Sequence, residues 1–124
     1  MKDFKKLEIW QFGFQIANNT FEIVKNFPSS EKWGLALQIT KAGVSIPSNI
    51  AEGSSRSSQK EYNRFIEIAL GSAFELETQL LISKARGMGN LGLIELTLPL
   101  LQREQKMLIS FSSLLQDKPS LRKS

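Results

Sequence analysis

The sequence predicts an all-α protein: an up-down-up-down antiparallel four-helix bundle, with its second helix kinked at Pro47. Three observations predict it. Apolar residues recur at spacings of three, four and seven along four long segments. Three short breaks separate them, at Phe27-Pro28-Ser29-Ser30, at Gly53-Ser54-Ser55-Arg56-Ser57-Ser58 and at Gly87-Met88-Gly89-Asn90-Leu91-Gly92. Such short connections favour antiparallel neighbours. Alternating runs of β-branched residues, the strand signal, are absent. The 124 residues read as one domain, with helices over about 7–26, 30–52, 58–86 and 92–116 and basic tails at 1–6 and 117–124.

The first helix carries two apolar series. Leu7, Trp10, Phe14, Ala17, Phe21 and Val24 recur at threes and fours and read as the seam facing the core. Ile9, Ile16 and Ile23 recur at sevens, with Phe12 and Phe27 beside them. Together the two series cover roughly 200° of the helix, where one core seam needs only about 100°. The surplus implies deeper burial in the same bundle or a subunit interface. The interface is the reading adopted, through Ile9, Phe12, Ile16 and Ile23.

In the second helix Leu35, Ile39, Ala42, Ile46 and Ile50 form the inner face. Gly34, Gly43 and Pro47 are poor helix residues, so tertiary packing must hold this segment. Pro47 has no amide for the Gly43 carbonyl and crowds it, which predicts the kink. The third helix opens on Ser58-Gln59-Lys60-Glu61, a capping box. Its seam is Tyr62, Phe65, Ile66, Ala69, Ala73, Leu76 and Leu80, and Gly87 suits a C-cap. The fourth helix has two columns at a strict seven: Leu93, Leu100, Met107, Leu114 and Ile94, Leu101, Leu108, Leu115. Pro99 either kinks it or marks a start near Leu98.

Composition limits the chemistry. The chain has no Cys and no His, so thiol nucleophiles, His bases, disulfides and Cys/His zinc sites are excluded. No cofactor and no metal are expected. The N-terminal stretch lacks the apolar core of a signal peptide, and no apolar run approaches a membrane span, so a cytoplasmic location and no membrane partner are expected. The net charge is +4, but residues 7–116 hold ten basic and ten acidic side chains. The excess lies in the tails.

Two polar groups stand out within the body. Asn49, Glu52 and the nearby serines flank the Pro47 irregularity, where they read as caps of the helix and its exit turn. Lys41, Arg56, Lys60 and Arg64 are the notable basic residues, with Lys60 and Arg64 one turn apart on one face. They are the candidate phosphate contacts to nucleic acid. Glu77 falls near the apolar face of the third helix and calls for a cation or amide partner.

Four blocks carry a resemblance: Leu7-Glu8-Ile9-Trp10-Gln11, Val44-Ser45-Ile46-Pro47-Ser48-Asn49-Ile50-Ala51-Glu52-Gly53, Ile68-Ala69-Leu70-Gly71-Ser72 and Glu75-Leu76-Glu77-Thr78-Gln79-Leu80. Over roughly Phe4 to Leu115 the chain resembles the four-helix bundle family of 23S rRNA intervening-sequence proteins. It is similar also to the accessory variability protein of diversity-generating retroelements, a basic pentamer that works with nucleic acid. The resemblance implies a non-enzymatic bundle that assembles as a ring, a homopentamer, which at +4 per chain would carry about +20. The expected function is a self-assembling bundle that binds RNA or a ribonucleoprotein partner through phosphates. The alternative is a protein-interaction scaffold without nucleic acid.

Overall fold

The computed structural model describes residues 3–116; the tail positions 1–2 and 117–124, including Lys118, Arg122 and Lys123, lie outside the described residues. Four helices account for most of the rest: α1 (Glu8–Val24), α2 (Leu35–Ser54), α3 (Gln59–Ala85) and α4 (Leu91–Leu115), with no strand among the described residues. Each helix packs on the next, and α4 closes back on α1, so the four stand at the corners of a square. Cross-helix pairs run in opposite directions. Asn63 meets Ser112, Glu77 meets Gln102 and Gln105, and Lys84 meets Glu95. The bundle is therefore antiparallel, as short connections require.

Residues 3–6 are not a loose tail. Phe4–Lys6 form a 3₁₀ turn capped by Asp3, the Phe4 ring meets Trp10 edge-on at 5.3 Å, and Gln11 donates to the Lys5 carbonyl.

The second helix starts later than the sequence predicts. Ser29–Glu31 form only a 3₁₀ turn, and α2 begins at Leu35 after Gly34. No residue from Ser29 to Gly34 is buried, so no packing offsets the nucleation cost of an α-helix there. At its other end α2 runs past the expected stop through Gly53 to Ser54. Gly53 is buried there because a Cβ would come within 2.8 Å of Phe65 and 2.9 Å of Tyr62. The glycine thus marks a close helix crossing instead of a break.

The caps expected at Ser58 and Gly87 are present, and Asn90 adds one at the start of α4. The Ser58 hydroxyl accepts from the Glu61 amide, and the Asn90 side chain accepts from Leu93. Gly87, at φ +68°, follows the C-cap of α3 in the left-handed conformation that suits glycine. Pro99 lies inside α4, which starts at Leu91.

The core is built from Ile39, Ile46 and Ile50 of α2, Ile66, Leu76 and Leu80 of α3, and Ile94, Leu101 and Leu108 of α4. From α1 it takes Ile9, Ile16 and Ile23. This corrects the sequence reading of Ile9, Ile16 and Ile23 as interface residues; of the series read as the core seam, Ala17 is buried and Leu7, Trp10 and Val24 pack against the core, while Phe14 and Phe21 do not. Ile16 and Ile23 have no exposed surface, and Ile9 almost none. Gly13 and Thr20 alternate with the isoleucines, and both are small enough to let α1 approach α2 closely. Phe14 and Phe21 lie outside that seam, and Trp10 is half-buried at its edge.

Candidate interaction surface

The displaced aromatics create the most distinctive surface of the molecule. Trp10 stacks on Phe14 with ring centroids 5.0 Å apart, while Phe14 and Phe21 are 51% and 49% exposed. Across from them α2 presents Val44 and Pro47, and Trp33, which lines the hollow at the far end, is 77% exposed. Three hollows of about 350, 410 and 390 Å³ run along this α1–α2 face. Phe21 lines all three, so the hollows adjoin one another along this face, the α1–α2 groove. Their walls are mainly apolar, with Thr40, Lys41, Ser45 and Ser48 along one edge.

Phe12 is not part of this groove. It is half-buried on the α4 side of α1, beneath the Arg103 guanidinium at 4.7 Å from the ring centroid. All four residues expected at the interface are thus accounted for elsewhere.

The basic candidates separate into two places. Arg56, Lys60 and Arg64 share the α2–α3 turn and the first two turns of α3, and all are exposed. Arg56 is already engaged: its Nη2 lies 2.6 Å from Glu52 Oε2, and its guanidinium sits 4.8 Å from the Phe65 centroid. Lys60 and Arg64 make no ion pair with any described residue. Lys41 is about 22 Å away along α2 at 1.5 Å per residue. It lies in a polar hollow between α2 and α3 with Ser45, Ser72 and Glu75.

The polar residues around Pro47 act as local caps. Asn49 donates to the carbonyl and hydroxyl oxygens of Ser45, and the Ser45 and Ser72 hydroxyls meet at 2.8 Å. Ser54 and Ser55 donate to the carbonyls of Ala51 and Glu52. Glu77 finds amide partners: Gln105 donates at 2.7 Å and Gln102 at 3.1 Å. Lys84 pairs with Glu95. Burial raises the Tyr62 hydroxyl pKa, with the ring against Phe111.

One charged residue escaped the sequence reading. Glu104 is fully buried in α4, and neither carboxyl oxygen has a hydrogen-bond partner. The signal was present. Glu104 lies three residues after Leu101 and four before Leu108, the spacing of the inward seam. Counting apolar columns at seven alone passes over it.

Among the described residues no group of three or more His, Cys, Asp or Glu is placed to hold a metal ion. No helix there is long and apolar enough to cross a membrane.

Against known proteins, residues 5–110 match the model of the 23S rRNA-intervening sequence protein. Among solved structures, the chain is similar to a protein of unknown function from Bacteroides thetaiotaomicron, assigned to the S23 ribosomal protein family. The TM-score is 0.66 at 25% identity, over 84% of this chain and 94% of that one. No curated protein matches.

Proposed function

Because the chain belongs to the 23S rRNA-intervening sequence protein family, we propose that it is a non-enzymatic, self-assembling bundle whose assembled form holds RNA or a ribonucleoprotein partner through phosphate contacts. The α1–α2 groove carries this reading. An exposed aromatic strip that its own helix could have buried is surface reserved for a partner. A ring requires two different faces on each subunit. The second is available on the opposite side of the square, where Phe74 and Leu81 of α3 and Ile109 of α4 stand half-exposed. A homopentamer, the assembly the family resemblance implies, fits a head-to-tail contact between these faces.

The phosphate half of the proposal rests on Lys60 and Arg64, which stand exposed beside the α3 N-terminus and have no carboxylate partner among the described residues. Each subunit would contribute only a few contacts, so binding would depend on repetition around the assembly and fall steeply with salt. Arg56 contributes less than the sequence suggests, because Glu52 already neutralises it.

The test combines light scattering with RNA retention. Wild-type protein purified at low salt is expected to run as a multiple of 14.0 kDa and to retain RNA at about 50 mM salt but not at several hundred millimolar. Phe14→Asp with Phe21→Asp should give folded monomers. An assembled particle that never retains RNA would leave the scaffold reading in force. A monomeric wild type would overturn the proposal.

A further inference from the structure

Glu104 occupies a junction of three helices. A Cβ on Gly13 of α1 would lie 3.1 Å from Glu104 Oε2, 3.1 Å from Ile46 Cγ2 and 3.4 Å from the Pro47 nitrogen. The missing side chain of Gly13 is therefore a notch, and the carboxyl group of Glu104 borders it. Pro47 stands at the same notch, and as a proline it leaves the Gly43 carbonyl without its usual amide donor.

Among the described residues no cation pairs with the carboxyl. On α1 the facing titratable group is Glu8, a like charge. On α4 the neighbouring Arg103 turns outward, over the Phe12 ring and 3.7 Å from Glu8. At the notch the nearest groups of α2 are Ile46 and Pro47, neither of them charged. On α3 the carboxylate of Glu77 is held by Gln102 and Gln105 on the other flank of α4. An ionised carboxylate in such a place has no donor to stabilise it. A neutral acid is tolerated, and its hydroxyl gains a proton to donate.

We propose that Glu104 is a proton-operated latch of the α1–α2–α4 junction: as a neutral acid it lets the three helices close around the Gly13 notch, and as a carboxylate it draws water in and loosens them. Ionisation breaks the carboxyl O–H bond and passes the proton to solvent. The consequence reaches the surface, because Pro47 borders the notch and also lines the outer groove with Trp10 and Phe14. The latch is a property of the fold and operates whether or not that groove is a subunit contact.

Burial first, and Glu8 second, push the Glu104 pKa up to about 8 from an ordinary value near 4.5. Between these limits the folded state holds a proton that the unfolded chain releases. Stability is therefore highest at acid pH, falls as pH rises through this window, and levels off above about 8.

The experiment is a pH titration of the intact protein labelled with ¹³C at the glutamate carboxyls, with Glu104→Gln identifying the resonance. Glu104 should titrate near pH 8, apart from the other nine glutamates. In urea unfolding, the wild-type unfolding constant should rise by roughly tenfold per pH unit between about pH 5 and 7.5 from this group alone. Glu104→Gln should remove that slope. In a Trp33→Phe background, Trp10 emission should shift with the same midpoint. Overturning results are a Glu104 resonance that titrates with the others, an unchanged slope in Glu104→Gln, or Trp10 emission indifferent to the transition. If Glu104→Gln fails to fold, the Glu104 resonance is assigned through the backbone, and the wild-type titration still decides.

Discussion

Helix α1 carries two apolar stripes, and the bundle treats them in opposite ways. The stripe of Ile9, Gly13, Ile16, Thr20 and Ile23 is buried, although two of its five members are not strongly apolar. The stripe of Trp10, Phe14 and Phe21 is richer in hydrophobic area, yet Phe14 and Phe21 are half-exposed. Hydrophobicity alone would have reversed the choice. Fit decides it instead. The α1–α2 approach is so close that a Cβ at Gly43 would meet Thr20 at 2.8 Å, and a Cβ at Gly13 would meet Ile46 at 3.1 Å. Only a row of isoleucines separated by small residues packs at that distance.

The largest expected effect comes from placing a charge in each stripe. Ile16→Asp puts an unpaired carboxylate where no surface is exposed, and should destabilise by about 4 kcal/mol or more, enough to unfold a domain of this size. Phe14→Asp should change monomer stability by about 1 kcal/mol or less, and instead reduce assembly. Circular dichroism in urea checks both. If Phe14→Asp unfolded the chain while Ile16→Asp did not, the assignment of the stripes would be reversed.

A smaller effect separates two glycines. Gly13→Ala gains about 1 kcal/mol of helix propensity but forces a methyl against Glu104 and Ile46, and should lose about 1–3 kcal/mol to overpacking. Gly71 of α3 has open space around its Cβ position, so Gly71→Ala should stabilise by about 0.5–1 kcal/mol. Opposite signs from the same substitution, read as thermal midpoints, sharpen the contrast between the tight seam and open surface. Ser58→Ala removes the cap of α3 and should cost about 1 kcal/mol.

These contrasts mark what could be read from sequence. Helix number, order and the caps at Ser58 and Gly87 were legible because spacing and capping residues act locally. The direction in which α1 faces was not. Both stripes have helical spacing, and only the closeness of α2 selects between them. The late start of α2 was hidden because Pro28-Ser29-Ser30 resembles a helix start, while nothing local reveals that the next residues bury no surface. The basic cluster was legible as a list of residues. Its division, with Lys41 distant and Arg56 neutralised by Glu52, depends on three-dimensional placement.

The smallest expected effect on stability concerns Lys60 and Arg64, and its smallness gives it value. Lys60 lies in the first turn of α3, where replacing a cation by Glu favours the helix dipole by a few tenths of a kcal/mol. Arg64 lies three residues from both Glu61 and Glu67, so Arg64→Glu adds like-charge repulsion of similar size. The double variant Lys60→Glu, Arg64→Glu should therefore melt within about 0.5 kcal/mol of wild type. The pair also stands at the α2–α3 turn, away from the aromatic groove on α1–α2 and about 15 Å along α3 from Phe74 of the second face, so particle mass should not change. With fold and assembly both held constant, loss of retained RNA in this variant would trace to phosphate contacts at these two side chains. Undiminished retention would remove them from the interface.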